Sequence, residues 1–353
     1  MSGNQQADTA TPPVTSGNLP DWALGALGLG RAPREGEAVA LGKDKFVLSG
    51  GVLRNKALLA DADRQVQGTF GYKWKRRNTF ERDAVRNANR AWLVDRYGDM
   101  SNADWITEAS RPPIVLDAGC GAAFSAVELF KPVLDRIRYF GVDISEAVDV
   151  ARERVLSAGG ADSAFMQSDL GRLPLRDGSV DVIFSEGVLH HTRSTEASLK
   201  ELVRLLRPGG LYMFYVYRKK GPIREFTDDY LREQLVGVPP EEAWRQLESL
   251  TKFGKLLGEL DIEVDVPEAI DLLQIPAGRI NLQRFFYWHV MKLYYRPEYT
   301  LDEMNHVNFD WYTPQYAHRQ TEEQVRKWCA ECGLTIEREI LEPPGITIVA
   351  RKG

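Results

Sequence analysis

The sequence predicts an α/β domain built on an open, doubly wound, largely parallel sheet. Three observations lead there. Between residues 112 and 217, short apolar, partly β-branched runs alternate with segments of helical period. Four of those runs close on a small polar or acidic residue: Asp117, Asp143, Asp169 and Ser185. The first run leads into a glycine turn, Asp117-Ala118-Gly119-Cys120-Gly121, with a helical stretch behind it. A strand followed by such a turn and a helix brings bare backbone close to a ligand.

Each element has its own warrant. Residues 114–116 suit a strand buried on both faces. Residues 122–130 read as a helix whose start offers unpaired N–H groups and a partial positive charge. A second strand covers 138–143, and Ser145 caps a helix over 146–158. Strands three and four cover 164–169 and 180–185. A helix over 195–206 is stopped by Pro208-Gly209-Gly210, and the fifth strand covers 211–217. The rhythm then breaks. Residues 218–320 read as helical, with a stripe of Trp244, Leu247, Leu250, Phe253, Leu257 and Leu260 over 241–260 and an aromatic helix over 283–295. A helix over 321–332, ended by Gly333, precedes strands at 334–341 and 346–351. The turn Pro343-Pro344-Gly345 pairs those two antiparallel.

Ahead of the core, residues 1–40 are poor in groups to bury and are expected to be mostly disordered. Docking of Trp22, Leu24 and Leu27 as a short turn is the lesser alternative. Residues 45–54 read as a hairpin bent at Gly50-Gly51, and 79–97 as a packing helix. Residues 70–77 mix aromatic and basic side chains and read as a flap over a ligand in preference to a single-strand nucleic-acid surface. The expected organisation is a tail (1–40), a helical and flap segment (41–111), a core (112–217 and 321–353) and a helical insert (218–320).

Composition narrows the class. A formal net charge of −5 and a pI near 5.7 argue against a nucleic-acid partner. No apolar run approaches the ~18 residues that span a bilayer, and residues 22–30 are too short and glycine-rich for a signal peptide. Three cysteines imply a reducing, cytoplasmic setting without disulfides. Cys329 and Cys332 share a helix with no second pair, so a packed face is expected there and no metal.

Ligands of such sheets lie outside the carboxyl ends of the strands, so Asp117, Asp143, Asp169 and Ser185 should converge. Asp143 is placed to accept from ribose hydroxyls, and Asp169 to meet an adenine edge. A nicotinamide dinucleotide wants a third glycine where Phe124 stands. S-adenosylmethionine has no phosphate and carries a sulfonium and an ammonium, which a rim of carboxylates suits better.

Here the chain resembles the class I S-adenosylmethionine-dependent methyltransferases, over roughly 112–217 and 321–351. Val115-Leu-Asp-Ala-Gly-Cys-Gly121 is similar to the first motif, Gly141-Val-Asp-Ile-Ser145 to the second, and Ser168-Asp-Leu170 to the adenine-side motif. Residues 180–192 and Leu206-Arg-Pro-Gly-Gly-Leu211 are similar to the fourth strand with its exit loop and to the approach to the fifth. The resemblance implies a Rossmann-like seven-stranded sheet of order 3-2-1-4-5-7-6 with strand 7 antiparallel. It implies S-adenosylmethionine as cofactor and a cap inserted after strand 5. The cofactor would be held by Asp117, Ala118, Gly119, Cys120, Gly121, Asp143, Ile144, Ser145, Ser168, Asp169, Leu170, Ser185, Glu186 and Gly187. The nearest likeness is to the branch acting on small molecules, with a homodimer admissible and neither nucleic acid nor membrane as partner. Residues 70–74 and 309–314, with His318 and Arg319, are similar to flanking segments of some relatives.

Methyl transfer from a sulfonium is an in-line displacement that needs an aligned acceptor and, for a poor nucleophile, a base. His190 and His191 after the fourth strand, and His318 in the insert, are the candidate bases. Trp74, Tyr217, Arg224, Tyr312 and Arg319 are the candidate substrate contacts. A catalytically silent binding module, or another use of the same cofactor, is the rival reading.

Overall fold

The computed structural model describes residues 19–55 and 61–353. Residues 1–18 of the expected tail lie outside the described part. The first described segment is a short helix, α1 (Asp21–Leu27), with Ala23, Leu24, Ala26 and Leu27 buried against the core. The expectation of disorder through residue 40 is therefore corrected. Four apolar side chains in seven residues form one adhesive face, and Gly28 (φ 72°) closes the turn.

Strands β1 (Ala38–Leu41), β2 (Asp44–Ser49) and β3 (Val52–Asn55) follow. The bend between β2 and β3 is Gly50-Gly51, both at positive φ, as the glycine pair required. Next come α2 (Asp61–Lys75), α3 (Asp83–Tyr97), the short α4 (Asp104–Thr107), β4 (Ile114–Ala118), α5 (Phe124–Phe130), β5 (Arg138–Asp143), α6 (Ala147–Ser157), β6 (Ser163–Gln167), β7 (Val180–Glu186), α7 (Thr195–Leu205) and β8 (Leu206–Tyr217). The segment expected as a flap at 70–77 is mostly helix, the second half of α2.

The sheet holds ten strands, where seven were expected, in the order β1-β2-β3-β6-β5-β4-β7-β8 and then two carboxyl-terminal strands, β12 (Gly345–Lys352) and β11 (Leu334–Leu341). The β2–β3 hairpin does not stand apart. Leu53 and Arg54 of β3 pair parallel with Met166 and Gln167 of β6 and cover what would otherwise be an open edge. β12 runs antiparallel between β8 and β11.

Helices cover both faces. Side chains of α1, α7 and α12 (Glu322–Glu331) pack on one, and those of α3, α5 and α6 on the other. That is why β4 is buried at all five positions and opens on the apolar run Ile114-Val115-Leu116.

The insert contains α8 (Pro222–Leu235), α9 (Pro240–Leu260), a two-stranded antiparallel ribbon of β9 (Glu263–Val266) and β10 (Gly278–Asn281), α10 (Leu282–Phe285) and α11 (Leu301–Tyr312). The ribbon departs from the all-helical expectation, and so does the aromatic stretch. α10 ends after one turn, a π-helical turn covers Phe286–Val290, and Met291 is extended (φ −160°). The break has identifiable causes. Arg224 takes the Tyr287 carbonyl, Gln283 reaches forward to the Leu293 carbonyl, and Pro297 follows. Tyr215, Tyr217, Leu235, Trp244, Phe309 and Trp311 join the insert to the end of β8. Among the described residues, no helix is long and apolar enough to cross a membrane.

Candidate active site

A cavity of about 400 Å³ opens at the carboxyl ends of β4, β5 and β7, roofed by α2, α3 and the insert. Its size is that of a site for a small organic molecule. Gly119, Asp143, Ile144, Asp169, Leu170, Glu186 and Gly187 line it on the core side. The berth is open, although two side chains press on the glycine turn. A Cβ at Gly119 would lie 2.2 Å from Val188 Cγ1, and one at Gly121 would lie 2.6 Å from Trp74 Nε1. Both glycines sit at positive φ (86° and 51°). Ala123, also left-handed at φ 53°, carries a side chain where the turn favours none.

Asp143 holds the turn as well as facing the cavity. One carboxylate oxygen accepts from the Gly121 N–H at 2.8 Å; the other accepts from the Ser145 N–H at 2.8 Å and the Ser145 hydroxyl at 2.6 Å. About four lone-pair positions are available, so one acceptor site remains for a ligand hydroxyl. Burial raises its pKa against these hydrogen bonds. Asp169 accepts from the Gly171 N–H and also lines the cavity. These positions fit a nucleoside with a cationic tail: acceptors at the tips of β5 and β6, and a carboxyl at the end of β7. Burial pushes that carboxyl, Glu186, up to about 8, with the Tyr97 hydroxyl donating to it and partly offsetting the rise.

Other expected cofactor residues stand behind the wall. Asp117 is buried and does not reach the cavity. The Tyr139 hydroxyl donates to it at 2.5 Å, and burial pushes its carboxyl up to about 7. Ala118 and Ser185 are linked, the serine hydroxyl donating to the Ala118 carbonyl. Cys120, Gly121, Ser145 and Ser168 shape the turn and the strand ends without lining the cavity.

The three candidate bases separate. His191 lines the cavity at 4% exposure. Its Nδ1 lies 2.7 Å from the Tyr316 carbonyl, which can only accept, so Nδ1 carries the proton. Nε2 is therefore a bare lone pair, buried and without a hydrogen-bond partner. Burial pushes His191 down to about 4, so it is neutral at ordinary pH. His190 is fully buried outside the cavity, stacked on Tyr217 at 3.5 Å, with its Nδ1 accepting from the Tyr217 N–H. His318 lies in a separate outer cleft against the Thr192 carbonyl. Neither stands where a base for this cavity must.

The substrate contacts divide as well. Trp74 and Tyr217 line the cavity. Arg224 does not: at 1% exposure it pairs with Asp228 at 2.6 Å and takes the Tyr287 carbonyl, which makes it an internal brace. Tyr312 donates its hydroxyl to the same aspartate at 2.9 Å. Arg319 pairs with Glu225 and Asp229 in the outer cleft. The reason is common to all three. Asp228 and Asp229 on α8 supply partners, four residues from Arg224 on the same helix but 84 and 90 residues from Tyr312 and Arg319.

The cavity also holds polar groups that sequence reasoning passed over. Lys73 of α2 reaches Asp310 of α11 at 2.6 Å. Burial alone would raise Asp310, but Lys73 and His191 outweigh it and hold the carboxyl at about 2. Lys292, His306 and Glu303 complete the insert side. Lys73 and Asp310 fall in the two flanking segments singled out by resemblance. Lys292 had no local signal.

Residues 116–214 match the family described as "Methyltransferase domain". The tRNA (carboxymethyluridine(34)-5-O)-methyltransferase ALKBH8 of Mus musculus is 30% identical over 144 residues, 40% of this chain and 20% of that protein. The probable tRNA methyltransferase 9B of Homo sapiens is 29% identical over 140 residues, 37% of this chain and 28% of that protein. The chain thus spans a fifth to somewhat over a quarter of the length of these relatives. Among solved structures, the 1,6-didemethyltoxoflavin-N1-methyltransferase of Burkholderia thailandensis aligns over 90% of this chain and 99% of its own, with 14% identity and a TM-score of 0.43, too loose a likeness to speak to substrate. With the glycine turn and the acidic strand tips in place around a cavity, residues 116–214 match a methyltransferase domain, and S-adenosylmethionine is the cofactor that the geometry fits.

Proposed function

We propose that this protein methylates a nucleophilic atom of a small molecule, with His191 as the proton acceptor. When bound, S-adenosylmethionine supplies a methyl group on a sulfonium, open to in-line displacement. The chain's own residues do the rest. Asp143 and Asp169 offer acceptors at the tips of β5 and β6, and Glu186 offers a carboxyl to a cation. His191 Nε2 receives the acceptor's proton, and the Tyr316 carbonyl keeps the ring in the tautomer that leaves Nε2 free. The observation that carries this reading is that lone pair, buried and unpartnered on a histidine that lines the cavity. The insert supports a small acceptor, since it roofs the cavity with Tyr294, Tyr299 and His306.

A second reading is methylation of tRNA, favoured by the names of the two relatives above. Against it stands the net charge of −5, which opposes binding of a polyanion. The test offers a donor labelled in its transferable methyl together with either the small-molecule fraction of a cell extract or total tRNA. Label in the small molecules supports the proposal, and label in tRNA alone replaces it with the second reading. Donor binding without transfer to either leaves a silent binding module. Where transfer occurs, His191→Asn should lower kcat by about 10²–10⁴-fold at unchanged S-adenosylhomocysteine affinity. The wild-type rate should fall on the acid side near pH 4, the value to which burial pushes this imidazole, and stay level through neutrality.

A further inference from the structure

Lys292 enters the cavity by an unusual route. It follows the π-helical turn at Phe286–Val290, where the chain leaves the helix and extends from Met291. Its backbone is pinned on both sides: its N–H donates to Asp228 Oδ1, and its carbonyl accepts from the Tyr312 hydroxyl at 3.1 Å. The residue is 8% exposed and lines the cavity. Nζ stands over the ring of Trp311, 4.5 Å from the centroid. Among the described residues it forms no ion pair and no hydrogen bond, and the indole is its close contact.

The other basic groups nearby are differently placed. Lys73 has Asp310 at 2.6 Å, and Arg296 has Glu298 at 3.1 Å. Asp310 and Asp228 draw Lys292 electrostatically without a close contact to its ammonium, while Arg224 and Arg232 repel it. A buried ammonium without an acceptor is costly, and proteins keep such groups paired. An aromatic face supplies only part of what water would. The missing partner is an anion, and the space in front of the ammonium is the cavity.

We infer that the methyl acceptor carries an anionic oxygen group, carboxylate or phosphate, and that Lys292 is the residue that binds it. This rests on the reading of the cavity as a methyl-transfer site. Lys292 follows a segment braced by Arg224 and sits beside Trp311, which packs on Tyr217 at the end of β8. That places it on the insert side of the cavity by the end of β8, the side we assign to the acceptor, while the glycine turn forms the core side. Aromatic walls from Trp74, Tyr294 and Tyr299 suit a planar body bearing the anion. Burial pushes the Lys292 ammonium down to about 7; an anion beside it restores its charge. The pinned backbone makes the lysine a discriminating contact, because a neutral analogue leaves it buried and unpaired.

The experiment is calorimetric titration of protein saturated with S-adenosylhomocysteine, using benzoate, phenyl phosphate and neutral benzamide as probes. Wild type, Lys292→Gln and Lys292→Arg are compared. Benzoate or phenyl phosphate should bind wild type at least tenfold more tightly than benzamide does. That advantage should vanish in Lys292→Gln and return in Lys292→Arg. Preference for benzoate identifies a carboxylate acceptor, and preference for phenyl phosphate a phosphorylated one. The inference is overturned if neither anion binds wild type at millimolar concentration, if benzamide binds as well as both, or if Lys292→Arg fails to restore the advantage. It is overturned equally if Lys292→Gln weakens S-adenosylhomocysteine and leaves the probes unchanged, for the lysine then serves the donor. Labelled transfer by the wild type tests the methyl-transfer reading separately, so the two can fail independently.

Discussion

At the scale of single residues, Asp143 shows how one side chain serves two ends. Its carboxylate ties the glycine turn to the start of the next helix and keeps one acceptor position for the cavity. Replacing it with asparagine keeps the shape but puts an NH₂ against a backbone N–H on one side or the other. Asp143→Asn should therefore cost about 1–3 kcal/mol of stability and weaken S-adenosylhomocysteine binding at least tenfold, read by chemical denaturation and titration calorimetry. Unchanged affinity would remove the aspartate from the nucleoside site. Sequence reasoning reached Asp143 from its distance to the glycine turn. It found His191 only as one of an adjacent pair, because the choice between them depends on a carbonyl 125 residues away.

The turn between β4 and α5 is the element on which the site depends. Gly119 has φ 86°, and a side chain there would run into Val188 in the loop after β7. Both costs fall on Gly119→Ala: a left-handed backbone, about 1–2 kcal/mol, and a steric clash. The expected result is a melting temperature lowered by several degrees and loss of cofactor binding. Val188→Ala in the same chain should recover part of the stability, since it removes the clash and leaves the backbone cost. No recovery would mean that the contact with Val188 is relieved by other movements. The aromatic stretch before Lys292 teaches the opposite lesson. Its composition reads as helix throughout, and it breaks where Arg224 takes the Tyr287 carbonyl and Gln283 reaches past the turn to the Leu293 carbonyl. The part of Arg224 cannot be inferred from the stretch itself.

Across the molecule, burial of titratable groups couples pH to stability in two opposing ways. His191 and His306 are held neutral, pushed by burial to about 4 and about 3. The unfolded chain protonates these rings first, so their contribution is lost as pH falls below about 6.5. Glu186 and Asp117 are raised to about 8 and about 7 by burial. Their folded forms hold protons that the unfolded chain releases, so their contribution is lost as pH rises from about 4 toward those values. The two trends offset each other near pH 5–6. Glu186→Gln isolates one of them. Glutamine keeps an acceptor for the Tyr97 hydroxyl and cannot ionise, so the variant should gain on wild type as pH rises from about 5 to about 8. Thermal melts across that range check it, and a difference independent of pH would show that Glu186 titrates normally.

The sequence by itself determined the alternation of strands and helices, the acidic tips of β5 and β6, and the glycine turn. These are local properties: residue periodicity, left-handed backbone and strand-end position are written within a few positions of each other. It also marked the antiparallel pairing of β11 and β12 through a single turn. Only the tertiary structure decided that three strands near the amino terminus extend the sheet to ten, that Arg224 and Tyr312 brace Asp228 while Lys292 lines the cavity, and that of the three histidines His191 is the one that lines it. Apart from the Arg224–Asp228 pair within α8, these outcomes rest on partners far apart in the sequence, and burial and hydrogen-bond satisfaction choose among such partners only once the chain has folded.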